Sequence, residues 1–133
     1  MRYLLDTDIC IYIARRKPAT IGARFNRLRP GEARISIITL LELVYRACKS
    51  QNHAENLARV QQFERIVPAL PLDTQVAESY GKLRVDLERK GSTIGAYDLL
   101  IAAHALSLGL TLVTNNVREF SRVEGLQIEN WAE

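Results

Sequence analysis

Arg2-Tyr3-Leu4-Leu5-Asp6-Thr7-Asp8-Ile9-Cys10-Ile11-Tyr12-Ile13 runs from a strand into a helix across one acidic turn. Arg2 to Leu5 has the composition of a short buried strand. Asp6-Thr7-Asp8 supplies the side-chain oxygens that cap a helix through Ile9–Ile13. Asp6 thus falls at the carboxyl end of a strand. An ionised carboxylate left unpaired beside a core is costly, so it must be protonated, matched to a cation or turned toward a polar opening. Two more acids interrupt apolar stretches in the same way: Glu42 inside Ile37-Ile38-Thr39-Leu40-Leu41-Glu42-Leu43-Val44-Tyr45, and Asp98 at the head of Leu99-Leu100-Ile101-Ala102-Ala103.

Outward from this turn the strand-then-helix alternation repeats. Pro18 and Arg29-Pro30-Gly31 bracket a second helical segment, and Arg34-Ile35-Ser36-Ile37 follows as a buried strand, with Ser36 or Thr39 to cap the helix carrying Glu42. Apolar residues at helical spacing over 52–65 end near Val67-Pro68, before an extended piece at Ala69-Leu70. Asp73 or Thr74 starts a long helix that Lys90-Gly91 stops. Residues 96–108 form an apolar helix closed by Gly109, Leu110-Thr111-Leu112-Val113-Thr114 a buried strand, and Gln127-Ile128-Glu129 an edge strand. This order predicts an α/β fold: one domain over residues 1–133, a mostly parallel central sheet, helices on both faces, and ligands at the carboxyl ends of the strands.

The chain has 133 residues, 47% of them hydrophobic, enough for one core without staples. It lacks the roughly 18 uninterrupted apolar residues of a membrane span, and Asp6 and Asp8 interrupt any signal-peptide core, so a soluble, cytoplasmic protein with no membrane partner is expected. Cys10 and Cys48, far apart and without a nearby His cluster, read as reduced core thiols. The net charge of +3 is uneven: residues 1–65 carry 12 Lys and Arg against 6 Asp and Glu, residues 66–133 carry 6 against 9. Arg15, Arg16, Lys17, Arg24, Arg27, Arg29 and Arg34 fall within twenty residues, a density that follows a phosphate backbone if they share a face and a solvated helix surface if they do not.

Asp6, Glu42 and Asp98 share no local element, so only the fold can unite them. If the strands ending at Asp6 and Thr114 are neighbours, the helices carrying Glu42 and Asp98 border the same crevice. Three carboxylates held together raise one another's pKa, and a dication relieves that repulsion. All-oxygen ligands favour Mg²⁺ or Mn²⁺ over Zn²⁺. Such an ion activates water and neutralises charge developing on a phosphodiester. Thr114, Asn115, Asn116 and Glu119 offer further oxygens nearby. Read singly, each acid has a structural explanation: a cap, a helix-dipole partner, a satisfied pair.

Four segments in order resemble the PIN-domain ribonucleases, and more closely the VapC toxins of bacterial toxin–antitoxin pairs: Leu4-Leu5-Asp6-Thr7-Asp8-Ile9, Ser36-Ile37-Ile38-Thr39-Leu40-Leu41-Glu42-Leu43, Ile94-Gly95-Ala96-Tyr97-Asp98-Leu99 with the small-residue helix behind it, and Leu112-Val113-Thr114-Asn115-Asn116-Val117-Arg118-Glu119-Phe120. The resemblance implies an endoribonuclease dependent on Mg²⁺ or Mn²⁺, selective for single strands, leaving 5′-phosphate and 3′-hydroxyl ends. It also implies a homodimer, a small VapB-like antitoxin encoded alongside, and contact with operator DNA only through that antitoxin. Asp6, Glu42 and Asp98 carry over as catalytic, metal-site residues, with Asp6 and Asp98 as direct ligands. Thr114 resembles a hydroxyl that orients water or the scissile phosphate. Asn116 stands in the catalytic set where many relatives have a fourth Asp, and Glu119 is the acid near enough to compensate. The opening, the Ile94-Gly95 loop and the 115–120 ending are most similar to the branch implied to cut initiator tRNA in its anticodon stem-loop, with Arg15, Arg16 and Lys17 as rim cations.

Two other functions fit parts of the chain. Asp6-Thr7-Asp8 after a strand resembles the nucleophile turn of haloacid-dehalogenase-type phosphatases, with Asp6 as nucleophile. Against this, Cys10 stands where that family has Thr or Val, and no Asp follows Asp98. A non-catalytic RNA- or protein-binding module would keep the fold and use the acids structurally. His104, in an apolar helix, reads as a satisfied core histidine, His53 as exposed, and Trp131 as a packing residue.

Overall fold

Leu4 and Leu5 are wholly shielded from solvent because β1 (Tyr3–Leu5) is the middle strand of a parallel sheet. The structure, a computed structural model, describes residues 1–132. Among these residues the chain runs β1, α1 (Thr7–Arg15), α2 (Ala19–Asn26), β2 (Ala33–Ser36), α3 (Ile37–Lys49), α4 (His53–Ile66) and β3 (Ala69–Leu70). It continues with α5 (Thr74–Arg89), α6 (Ala96–Leu108), β4 (Thr111–Val113), α7 (Val117–Phe120) and β5 (Ile128–Glu129). Strand order is β3-β2-β1-β4-β5, with every pairing parallel.

Strand alternation divides the core into two layers. Tyr3, Leu5, Ile35 and Val113 face one side and meet Ile9, Ile21, Leu43 and Val67; Leu4 and Leu112 face the other and meet Leu83, Leu87, Leu99 and Ala102. Helices therefore cover both faces, as the alternating pattern predicts. The chain lays β2 and β3 on one side of β1, then returns to lay β4 and β5 on the other. The order reverses between β1 and β4, and such a reversal opens a crevice at the strands' carboxyl ends. Register sets Leu5 opposite Val113, and the Asp6 N–H donates to the Val113 carbonyl at 2.9 Å, so Asp6 and Thr114 leave the sheet side by side.

Helix ends follow local chemistry. Ser36 caps α3, its hydroxyl accepting the Ile38 N–H at 3.1 Å, whereas the alternative cap, Thr39, is buried with its hydroxyl unpartnered. Asp73 caps α5 through the Val76 N–H, and Gly109 closes α6 at φ 64°, the left-handed region that glycine occupies without a Cβ penalty. Cys10 is buried, but Cys48 is exposed: on α3 it falls on the face opposite Leu43 and Ala47, so the expectation of two core thiols is corrected. Helix α7 carries no sequence signal, since four residues are too few for a 3.6-residue period. Trp131 is fully buried, edge-on to Tyr3 with ring centroids 5.2 Å apart. Among the described residues no helix is long and apolar enough to cross a membrane.

Candidate active site

Asp6 is both the last residue of the strand path and the N-cap of α1, which fixes its carboxylate from two sides. Oδ1 accepts the Thr7 N–H and Oδ2 accepts the Thr114 hydroxyl, each at 2.8 Å. Burial raises its pKa above the usual carboxylate value, and these two hydrogen bonds work against that rise. Thr114 Oγ1 in turn accepts the Asn116 N–H at 3.0 Å. The resemblance assigns this hydroxyl to water or phosphate, yet here its proton is committed to Asp6, so it clamps a carboxylate.

Asp98, in the first turn of α6, enters the crevice from the other side. Its pKa is pushed up to about 7, first by burial, then by a hydrogen bond with Glu119 and by the charges of Glu119, Asp6 and Glu42. Glu119, supplied by α7, is also partly desolvated, but the Gly95 N–H, Asp98, Asn116 and the Arg122 charge outweigh burial and hold its pKa below the usual value. Its Oε1 accepts the Gly95 N–H at 2.8 Å and its Oε2 accepts Asn116 Nδ2 at 2.6 Å. Asp98 and Glu119 thus face each other as an acid pair, Asp98 pushed up and Glu119 held down. Glu42, half-buried on α3, is raised by burial and then by the Asp6 charge, while the Thr7 side chain and then Arg46 one turn onward work against that rise.

The fold therefore brings Asp6, Glu42 and Asp98 within one another's electrostatic reach, and Glu119 with them, across sequence gaps that no local element spans. Among the described residues none of the four forms an ion pair. Nor do any three acidic, histidine or cysteine side chains there stand close enough to hold one ion together. The chemistry of the set still fits a hard dication. Every donor is oxygen, and the nearby cations Arg46 and Arg122 form no ion pair with these acids. Thr7 Oγ1 is buried beside Glu42, and this contact lowers the Glu42 pKa. Gly95 also leaves room: a Cβ there would lie 3.8 Å from both Asp98 Oδ2 and Glu119 Oε1.

Asn116 is exposed and its amide donates to Glu119, the acid that the fold adds beside Asp98. Thr7, Gly95 and Arg46 belong to the site without having been singled out in the sequence. For Arg46 a signal existed, since it stands four residues after Glu42 on one helix face. Arg15, Arg16 and Lys17 are exposed at the end of α1. Arg15 joins Arg46 and Arg59 around a groove of about 420 Å³ whose floor includes Cys10, Leu43 and Phe63. His104 is buried and lies outside the acid cluster, its Nδ1 2.8 Å from Ser36 Oγ.

Comparison with known proteins agrees with this geometry. The family model for the PIN domain matches residues 3–126. The tRNA(fMet)-specific endonuclease VapC of Shigella flexneri is 45% identical over 132 residues, covering 99% of each chain. The protein of the same description from Salmonella typhimurium is 47% identical over 131 residues, covering 98% of each. Among solved structures, DNA-bound VapBC from Salmonella typhimurium superposes with a TM-score of 0.92 at 46% identity, over 98% of each chain. VapBC-1 from nontypeable Haemophilus influenzae gives 0.91 at 38% identity over the full length of both chains. With the fold, the order of its acids and full-length likeness in agreement, and the phosphatase reading set aside, the chain belongs to the PIN-domain family and, within it, to the VapC ribonucleases.

Proposed function

We propose that this chain is a Mg²⁺- or Mn²⁺-dependent endoribonuclease, the toxin of a toxin–antitoxin pair, which cuts initiator tRNA in its anticodon stem-loop and is neutralised by a VapB-like antitoxin. The observation that carries the metal-dependent reading is the gathering of Asp6, Glu42, Asp98 and Glu119, with no ion-pair partner among the described residues, at the β1/β4 reversal, where burial and then the neighbouring acids hold Asp98 at about 7. Substrate and partner are supported by the relatives' names at 45% and 47% identity and by the VapBC complexes among the structural neighbours. On this reading the protein acts as a homodimer and meets operator DNA only through the antitoxin.

Asp6, Asp98 and Glu42, with Glu119, would hold the ion. When bound, it supplies Lewis acidity toward a phosphoryl oxygen and acidifies water. The chain's own part is positioning. Thr114 and the Thr7 N–H keep the Asp6 carboxylate from swinging. Asn116 and the Gly95 N–H hold Glu119, and the Asp98 proton must leave for both acids to act as anionic ligands. Arg46, one turn from Glu42, would engage a phosphate flanking the scissile bond, and Arg15 lines the groove that Arg46 also borders. A single-stranded loop suits this layout, because its phosphates can enter a crevice that a duplex cannot.

The test is cleavage of purified initiator and elongator tRNAs, with Mg²⁺ and with EDTA, followed by sequencing of the ends. Cleavage at the anticodon stem-loop, leaving 5′-phosphates and abolished by EDTA or by Asp6→Asn, is expected. Cleavage that survives EDTA would remove the metal from the mechanism, and RNA binding without cleavage would favour the non-catalytic module. Growth arrest on expression, relieved by the adjacent small gene, tests the toxin assignment.

A further inference from the structure

The two helices that carry Glu42 and Asp98 are joined deep in the molecule by one polar contact. His104 on α6 is 1% exposed and Ser36, the N-cap of α3, is 0% exposed, yet His104 Nδ1 lies 2.8 Å from Ser36 Oγ. Ser36 stands six residues before Glu42 and His104 six residues after Asp98. The contact therefore lies about 9 Å along each helix from its acid, at a rise of about 1.5 Å per residue. Because the start of α3 meets the far part of α6 while Glu42 senses Asp98 near the start of α6, the two helices pass each other in opposite directions. A slip of one helix along the other would change the separation of the acids directly.

The hydrogen bonds can be given a direction. Burial holds the His104 pKa below its usual value, so the ring is neutral and carries a single N–H. The neighbouring Pro71 carbonyl can only accept, which favours the tautomer with that hydrogen on Nε2. Nδ1 is then an acceptor, and Ser36 donates its hydroxyl to Nδ1 while accepting the Ile38 N–H at 3.1 Å. One side chain thus caps α3 and ties it to α6.

We propose that His104 and Ser36 are positioning residues for the acid site: their buried hydrogen bond fixes α6 against α3 and so sets the spacing of Asp98 from Glu42. Neither touches substrate. This inference rests on the proposed metal-dependent reading, and its test separates the two. Mn²⁺ uptake is measured by titration calorimetry on wild type, Asp98→Asn, His104→Phe, His104→Asn and Ser36→Ala, each first checked for cooperative unfolding. His104→Phe keeps the ring volume and removes the acceptor, whereas His104→Asn keeps an acceptor near the Nδ1 position. Loss of a group that orients a ligand typically weakens metal binding about 10- to 100-fold. His104→Phe is expected to weaken Mn²⁺ uptake by at least about tenfold, and His104→Asn to recover most of it. Ser36→Ala should reproduce the loss, and it carries the test if the Phe variant does not fold. Uptake in His104→Phe or Ser36→Ala within twofold of wild type would overturn the inference alone, as would an Asn variant as weak as the Phe variant. Wild type that takes up no Mn²⁺ would overturn the metal reading and this inference with it.

Discussion

At the scale of single residues the site is governed by the Asp98 proton, which burial and the neighbouring Glu119 hold on the carboxyl. With Asp98 at about 7 in the folded chain against an ordinary value of 3.8, the native state binds this proton more tightly than the unfolded state between those two pH values. Its contribution to stability is full below about 4 and lost as pH rises through about 7. Metal-free protein is expected to melt at a lower temperature at pH 8 than at pH 5, and Asp98→Asn to flatten that slope. An unchanged slope in the Asn variant, read by calorimetric melting, would refute the assignment. The same substitution should lower RNA cleavage by more than about a hundredfold, beyond what loss of a ligand-orienting group costs. Gly95→Ala gives a sharper contrast. Its methyl makes ordinary contact at 3.8 Å with Asp98 and Glu119, so folding should survive, while Mn²⁺ uptake falls on the order of tenfold as the opening fills. Unaltered uptake would show that the ion lies elsewhere.

At the scale of elements the C-terminal segment is the informative case. Glu129 of β5 takes Arg24 at 2.8 Å and the Trp131 indole N–H at 3.0 Å, and the Arg24 guanidinium lies 5.4 Å above the Trp131 ring. Two contributions of different size meet here. Trp131 is fully buried against Tyr3, so Trp131→Ala should cost about 3–5 kcal/mol. Arg24 and Glu129 are substantially exposed, and Arg24→Ala should cost about 1 kcal/mol or less. Urea denaturation of the two variants measures the difference; equal losses would mean that the ion pair, rather than the buried indole, anchors β5. Most elements were legible because their signals are local: the Asp73 cap, the Gly109 stop and the apolar run of α6 each act within a few residues. Helix α7 was not, since Val117–Phe120 makes barely one turn and is set by Asn115-Asn116 leaving the end of β4. Cys48 misled for a related reason: composition says that cysteine is usually buried, and only the orientation of α3 decides which face this one occupies.

At the scale of the molecule the basic half of the chain predicts a salt-dependent encounter with RNA. Arg15, Arg16 and Lys17 are exposed at the end of α1, and Arg15 borders the groove that also holds Arg46. If they meet phosphates, replacing all three with Ala should weaken tRNA binding and shallow the plot of log affinity against log salt by about 0.7 for each single-strand phosphate that is no longer neutralised. An unchanged slope, measured by filter binding across salt concentrations, would place these cations on a solvated surface instead.

Linear patterning was enough to establish the alternation of strands and helices, the parallel sheet, and the three acids set against apolar neighbours, because periodicity, caps and the cost of a buried charge are properties of short stretches. It also carried the ordered segments by which the family is recognised. The packed chain was needed to establish that β1 and β4 are neighbours, that Glu119 rather than Asn116 faces Asp98, that Thr114 spends its proton on Asp6, and that Ser36 and His104 tie two acid-bearing helices together. Each of these joins residues through the packing of separate elements, and hydrogen-bond direction and charge coupling depend on distances of a few ångströms that no linear pattern encodes.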